Sequence, residues 1–202
     1  MRIDLTGRKA VVTGSTAGIG FAAAEGLARG GAAVVVNGRG DARVAKAVQL
    51  IRDAVPGCDV SGVAADLSTV EGVETLVARV PEADILVNNV GTAHLRPYAG
   101  IEDIVAIPDA DWLGLFHLNV MSGVRVTRHY LPRMVRHGWG RVVFVSSESA
   151  VNTPKEMLDY GMTKTAQLAV SRGLAEAVAG TGVTARSDAL RDPRQPHGAA
   201  GG

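Results

Sequence analysis

The stretch KAVVTGSTAGIGFAAAEGLARGGAAVVVNGR, residues 9–39, decides how this chain folds. It opens with a Val-rich run at 9–13, turns through Gly14, Gly18 and Gly20, continues with helical spacing over 18–30 and closes on a second Val run at 32–37. Two short apolar strands separated by a helix form a crossover unit, and a crossover pairs its strands in parallel. On either side the alternation continues, with apolar runs at 59–65, 84–89, 141–147 and 183–185 and helical segments at 41–55, 69–80, 109–137 and 156–180. Strands that read as nearly continuous Val and Ile are those buried on both faces. The expected fold is therefore α/β: one domain built on a doubly wound parallel sheet of six strands, with its body over 1–188.

The composition narrows the function classes. A chain of 202 residues that is 47% hydrophobic is long enough to bury one sizeable core. With 21 basic and 20 acidic residues spread along it, the net charge of +1 concentrates no field for nucleic acid or an anionic membrane. Cys58 is the only cysteine, which leaves no internal disulfide and fits a reducing compartment. The first residues carry no apolar leader and no apolar run reaches the roughly 18 residues of a membrane span, so a cytoplasmic protein is expected. The five histidines have no metal-ligand spacing. Residues 92–108 form a long connection, and from Arg191 onward Pro, Gly, Arg and Ala replace the strand and helix patterns, so 189–202 is expected to be a disordered tail.

The turn TGSTAGIG, 13–20, places Ser15, Thr16 and Ile19 between its glycines, directly before a helix. Gly14 allows the tight turn, Gly18 lets backbone approach a phosphate and Gly20 lets the helix pack close, while the helix N-terminus offers amide donors. The spacing is G-x-x-x-G-x-G, which by itself leaves a purely structural turn open. At the end of the second strand, where an acid would grip a ribose 2′-hydroxyl, stand Asn37, Gly38 and Arg39. No carboxylate repels a 2′-phosphate there and a guanidinium can bind it, which favours NADPH over NADH, with NAD kept possible by Asp41. Asp66 and Leu67 after the third strand, and Asn88, Val90 and Gly91 after the fourth, are placed to line the same crevice or to cap the turns that follow.

Near the fifth strand's end comes SSESAVNTPKEMLDYGMTK, 146–164. Tyr160 and Lys164 are four apart and share a helix face, and Ser147 sits at a strand's carboxyl end, where ligands collect in such sheets. Reduction of a carbonyl needs a proton donor and a group that steadies the oxygen as charge develops. A tyrosine is a poor acid-base group at neutral pH, and an ammonium beside it favours the phenolate.

These residues together resemble the short-chain dehydrogenase/reductase family, whose fold is Rossmann-like. TGSTAGIG is similar to its cofactor turn, NNVG to its N-N-A-G segment, Asn119 to its helix asparagine, Ser147 to its serine and YGMTK to its Y-x-x-x-K pair. The resemblance implies an NAD(P)-dependent oxidoreductase that interconverts a carbonyl and an alcohol. In it Tyr160 would be the general acid-base, Ser147 would polarise the substrate oxygen, Lys164 would also hold the nicotinamide ribose, and Asn119 would organise a water-mediated proton relay. Val90 stands where the family pattern has alanine. It also implies a homodimer or homotetramer through the helices at 109–137 and 156–180, the latter carrying a stripe of Ala166, Ala169, Val170, Gly173 and Ala177. After TGVTA the chain departs from the pattern, with no Pro-Gly segment, no substrate-covering region and no seventh strand, as a shifted reading frame or a short variant would produce. The alternative expectation is a catalytically silent nucleotide- or partner-binding remnant.

Overall fold

The computed structural model describes residues 3–94 and 99–190, the side chains of 189 and 190 aside. Six strands alternate with helices: β1 (Lys9–Val12), α1 (Gly18–Arg29), β2 (Ala33–Gly38), α2 (Asp41–Ala54), β3 (Val60–Ala64), α3 (Val70–Arg79), β4 (Ile85–Asn88), α4 (Ile101–Val105), α5 (Asp109–Leu115), α6 (Ser122–Arg136), β5 (Gly140–Ser147), α7 (Leu158–Ala177) and β6 (Val183–Leu190). All strand pairs are parallel, in the order β3-β2-β1-β4-β5-β6. The expected doubly wound sheet is what forms. Among the described residues no helix is long and apolar enough to cross a membrane.

Side chains leave a strand alternately to its two faces, so each strand feeds two cores. Val11, Val35, Leu86, Val142 and Phe144 bury themselves on one face with Leu76 of α3 and Val126 and Tyr130 of α6. Val12, Val34, Val36 and Val87 bury themselves on the other with Ala24 of α1 and Val44 and Ile51 of α2. Each such side chain is worth about 1.5–3 kcal/mol, which anchors both helical layers to a rigid sheet. The winding direction reverses between β1 and β4, and the crevice beyond their carboxyl ends is where ligands bind in sheets of this kind.

Three stretches differ from the sequence reading. The expected helical segment 109–137 is α5, a π-helical turn over Phe116–Met121, and α6. A single extra residue per turn leaves the apolar spacing on either side intact, so periodicity does not reveal it. The connection 92–108 contains α4, whose Asp103 side chain accepts the backbone N–H groups of Ala99 and Gly100. The last strand runs to Leu190 instead of ending at 185, pairing residue by residue with β5 from Gly140↔Val183 to Ser147↔Leu190. Its outer residues Arg186 and Asp188 form an ion pair at 3.1 Å on an exposed face, and that polar alternation hid a half-exposed strand. The strand thus passes the expected domain end at 188 by two residues; the remainder of the expected tail lies outside the described residues.

Candidate active site

The cofactor-sized half of the crevice is shaped by backbone. Gly14 and Gly18 adopt φ of 61° and 58°, a left-handed conformation that side chains resist. Gly20 is required for a different reason: a Cβ there would collide with the Asn89 amide and lie 2.6 Å from the Gly14 carbonyl. That amide locks the turn, donating to the carbonyls of Thr13 at 3.0 Å and Gly14 at 2.9 Å. α1 begins at Gly18 with no side-chain cap on its N-terminus, which leaves amide donors and the positive end of the helix dipole facing the crevice.

Ser15 and Asn37 hold this turn from below. Ser15 is fully buried, donates to the Val12 carbonyl and accepts from the Asn37 N–H. Asn37 in turn donates its amide N–H groups to the carbonyls of Val63 in β3 and of Ala65 just beyond it, and its oxygen accepts from the Gly14 N–H at 3.3 Å. Thus Ser15 is a brace for the turn and does not line the cleft.

Thr16, Arg39, Asp66, Leu67, Val90 and Gly91 line a cleft of about 290 Å³ at the β2 side. Asp66 has one carboxylate oxygen occupied by the N–H and hydroxyl of Ser68. Arg39 and Arg43 are exposed at the cleft's rim, and neither is paired with a carboxylate among the described residues. Val90 packs on the turn: a Cβ on Gly14 would meet its Cγ2 at 3.2 Å, so the extra bulk at this position fills against Gly14.

A second cleft of about 340 Å³ continues past Ile19, Gly20 and Asn89 to Ser146, Tyr160 and Lys164. Tyr160 and Lys164 lie on α7, with Nζ 5.5 Å from the phenol ring centre, and the Ser147 side chain is near enough to the Tyr160 hydroxyl to favour its ionised form. The segment that carries Ser147 into α7 is stitched to that helix. Thr165 Oγ1 donates to the Ala150 carbonyl at 2.7 Å, and Thr153 packs where a side chain at Gly161 would sit. Asn119 occupies the π turn, fully buried; its Oδ1 accepts from Thr92 N–H and its Nδ2 donates to the Thr92 carbonyl and to Thr163 Oγ1, each at 2.9 Å. π turns concentrate at functional sites because they turn one side chain out of the helical phase.

Burial pushes the Tyr160 phenol up, and its hydrogen bond with Ser147 pulls the other way. The Lys164 ammonium stands over the phenol ring, and the expected lowering, which joins its charge to that of a cationic nicotinamide ring, concerns the nucleotide-bound site. Lys164 is itself lowered to about 8, by burial.

Besides Ser15, a second expected residue is elsewhere. Asn88 is buried against α6, donating to Thr127 Oγ1 at 3.0 Å, and it is Asn89 that faces the cleft. Four further residues of the site do not stand out in the sequence. Arg43 lies in the first turn of α2, close after Arg39, Asn89 follows from strand alternation once Asn88 is seen to point inward, and Thr163 and Gln167 flank Lys164 on α7. Among the described residues no group of three or more His, Cys, Asp or Glu side chains is placed to hold a metal ion.

Comparison with known proteins agrees with this geometry. The profile of the short chain dehydrogenase family matches residues 8–188. An uncharacterized oxidoreductase of Bacillus subtilis, YvaG, is 44% identical over 184 residues, covering 91% of this chain and 67% of that protein. The D-beta-hydroxybutyrate dehydrogenase of Cupriavidus necator is 37% identical, covering 91% and 69%. The crystal structure of L-sorbose reductase from Gluconobacter frateurii, complexed with NADPH and L-sorbose, superposes with a TM-score of 0.85 at 34% identity, covering 93% of this chain and 70% of that one.

Proposed function

From the premise that this chain belongs to the short chain dehydrogenase family of oxidoreductases, we propose that it interconverts a carbonyl and an alcohol with NADPH as the preferred nucleotide. The observation that carries this reading is Tyr160 and Lys164 on one face of α7, with Ser147 acting on the Tyr160 phenol, at the inner end of a cleft whose outer end is the glycine turn. The residues present fit a dinucleotide. The uncapped start of α1 suits a diphosphate, Asp66 and Leu67 suit the adenosine half, and Gly91 keeps backbone close to Asn119 and Lys164. When bound, the nicotinamide supplies or accepts the hydride.

The chain's own part is proton handling and charge. Tyr160 gives its phenolic proton to the developing alkoxide in reduction and takes it back in oxidation. Ser147 hydrogen-bonds the same oxygen and keeps the phenol aimed. Lys164 holds the nicotinamide ribose, and Ser147 pulls against the burial that raises the phenol. Asn119 fixes the 92 loop to α7.

Arg39 and Arg43 support the choice of NADPH: two guanidinium groups without acidic partners stand where a 2′-phosphate would lie, and Asn37 is turned inward. L-sorbose reductase, a relative by structure, is complexed with NADPH. We further propose that α6 and α7 pair with a second copy. Between them lies an apolar groove of about 310 Å³ lined by Val124, Leu131, Pro132, Val170 and Leu174, and Ala169, Gly173 and Ala177 are exposed along α7.

The test is thermal unfolding with NADPH and with NADH, followed by turnover on a panel of ketones and aldehydes. Nucleotide at 100 times Kd adds about 2.7 kcal/mol to the native state, several degrees in Tm. A selective NADPH shift with turnover supports the reading. A shift without turnover favours a nucleotide-binding protein that has lost its chemistry, and no shift with either nucleotide removes the proposal.

A further inference from the structure

Gln167 has no part in the chemistry above, yet it is 1% exposed and both ends of its carboxamide are committed to the site. Its Oε1 accepts from Lys164 Nζ at 3.0 Å, and its Nε2 donates to the main-chain carbonyl of Asn119 at 2.5 Å. The lysine gives a second bond, at 2.9 Å, to the Val145 carbonyl on β5. An ammonium has three donors, so with two spent on Val145 and Gln167 the direction of the third is set. Asn119's side chain is held separately by Thr92 and Thr163, so Gln167 grips the backbone of the π turn itself.

A buried amide must satisfy both its ends or destabilise the fold, a burden that an apolar residue at this helix position would avoid. Its partners here are two of the residues assigned to the site. We propose that Gln167 is a positioning residue, a carboxamide strut that fixes the Lys164 ammonium against the π turn and so aims its remaining N–H at the nucleotide ribose. The proposal rests on the reading of this cleft as a nicotinamide nucleotide site. It assigns Gln167 no proton: a neutral amide accepts from the lysine without becoming part of the transfer.

The titratable group beside the lysine is Tyr160, with its ring centre 5.5 Å from Nζ; Asp159 lies one turn and more away at the start of α7 on the Tyr160 backbone N–H, Glu148 follows β5, and His117 on the π turn is exposed toward Arg125. None of them is altered by substitution at 167.

The experiment measures NADPH binding by fluorescence from pH 6 to 10 for the full chain, for Gln167→Met, which keeps shape and loses both bonds, and for Gln167→Glu, which keeps an acceptor toward Lys164 and adds charge. Wild-type affinity is expected to fall as Lys164 deprotonates, near pH 8. Gln167→Met is expected to bind about tenfold more weakly at neutral pH and to move that fall to lower pH, because the ammonium has lost an acceptor. Gln167→Glu moves it to higher pH. Both variants binding as wild type, with the fall unmoved, would overturn the strut. Should the methionine variant unfold, the direction of the glutamate shift decides alone. A wild type that binds no nucleotide at any pH sinks the nucleotide reading itself, whereas bound nucleotide with unmoved profiles sinks only the role of Gln167.

Discussion

The two halves of the cleft are made of different materials. Beside β1 and β2 the surface is backbone: left-handed glycines, an uncapped helix start and carbonyls locked by Asn89. Beside β5 and α7 it is side chains: Tyr160 near Ser147, and a hydrogen-bonded run from Lys164 through Gln167 to the Asn119 carbonyl. A backbone surface binds what every dinucleotide shares, the phosphates, and needs only that nothing protrude. A side-chain surface holds a proton and a charge at chosen places and needs every member present. The first half should therefore fail when atoms are added and the second when atoms are removed.

The largest effect expected tests that division directly. Tyr160→Phe deletes one oxygen and should lower kcat about a thousandfold, as loss of a general acid-base group does, while the Kd for NADPH measured by fluorescence stays within about threefold. Comparable losses in both would break the separation of the halves. Next comes an addition: Gly20→Val forces side-chain atoms into Asn89 and the Gly14 carbonyl, and should abolish detectable nucleotide binding and cost about 3 kcal/mol by urea unfolding.

A smaller effect concerns charge. Lys164 titrates at about 8 in the folded chain and at 10.5 when exposed, so between those values the unfolded chain binds more protons and stability rises with pH. Lys164→Met should flatten that rise by about 2 kcal/mol between pH 8 and 10, measured by denaturant unfolding at each pH. The raised phenols of Tyr130 and Tyr160 work the other way, lowering stability as the pH approaches and passes the ordinary phenol value of 10.0, so they blunt the upper end of this rise equally in wild type and variant. The smallest effects belong at the rim, where Arg39→Ala and Arg43→Ala should each weaken NADPH about tenfold and NADH hardly at all, by direct titration. Equal losses for both nucleotides would remove the 2′-phosphate from the argument.

The same contrast explains what the sequence discloses. The backbone half is local: Gly14, Gly18 and Gly20 lie within seven residues of one another and announce their turn, and the β-α-β order around them predicts the sheet. The side-chain half is assembled over distance, with Gln167 and Asn119 separated by 48 residues, so only their proximity in space reveals the bond. Tyr160, Lys164 and Ser147 were readable because their chemistry is unusual. Gln167 was not, because an amide on a helix face has many uses. Asn88 was assigned to the cleft in place of Asn89 because two adjacent asparagines look alike until the strand's alternation is anchored by Leu86 and Val87 facing opposite cores. The C-terminal part of β6 went unseen because its Arg186 and Asp188 disguise an alternating pattern.

The π turn at Phe116–Met121 makes the site depend on counting as well as on identity. Each residue advances a helix by about 100°, so deleting any one residue there would let α5 and α6 merge into one regular helix and swing Asn119 away from Thr92 and Thr163 with its chemistry unchanged. Related chains that keep the asparagine but differ by one residue in this turn would then carry the right letter at the wrong angle. In comparing such proteins, the length between Trp112 and Tyr130 is as informative as the residues within it.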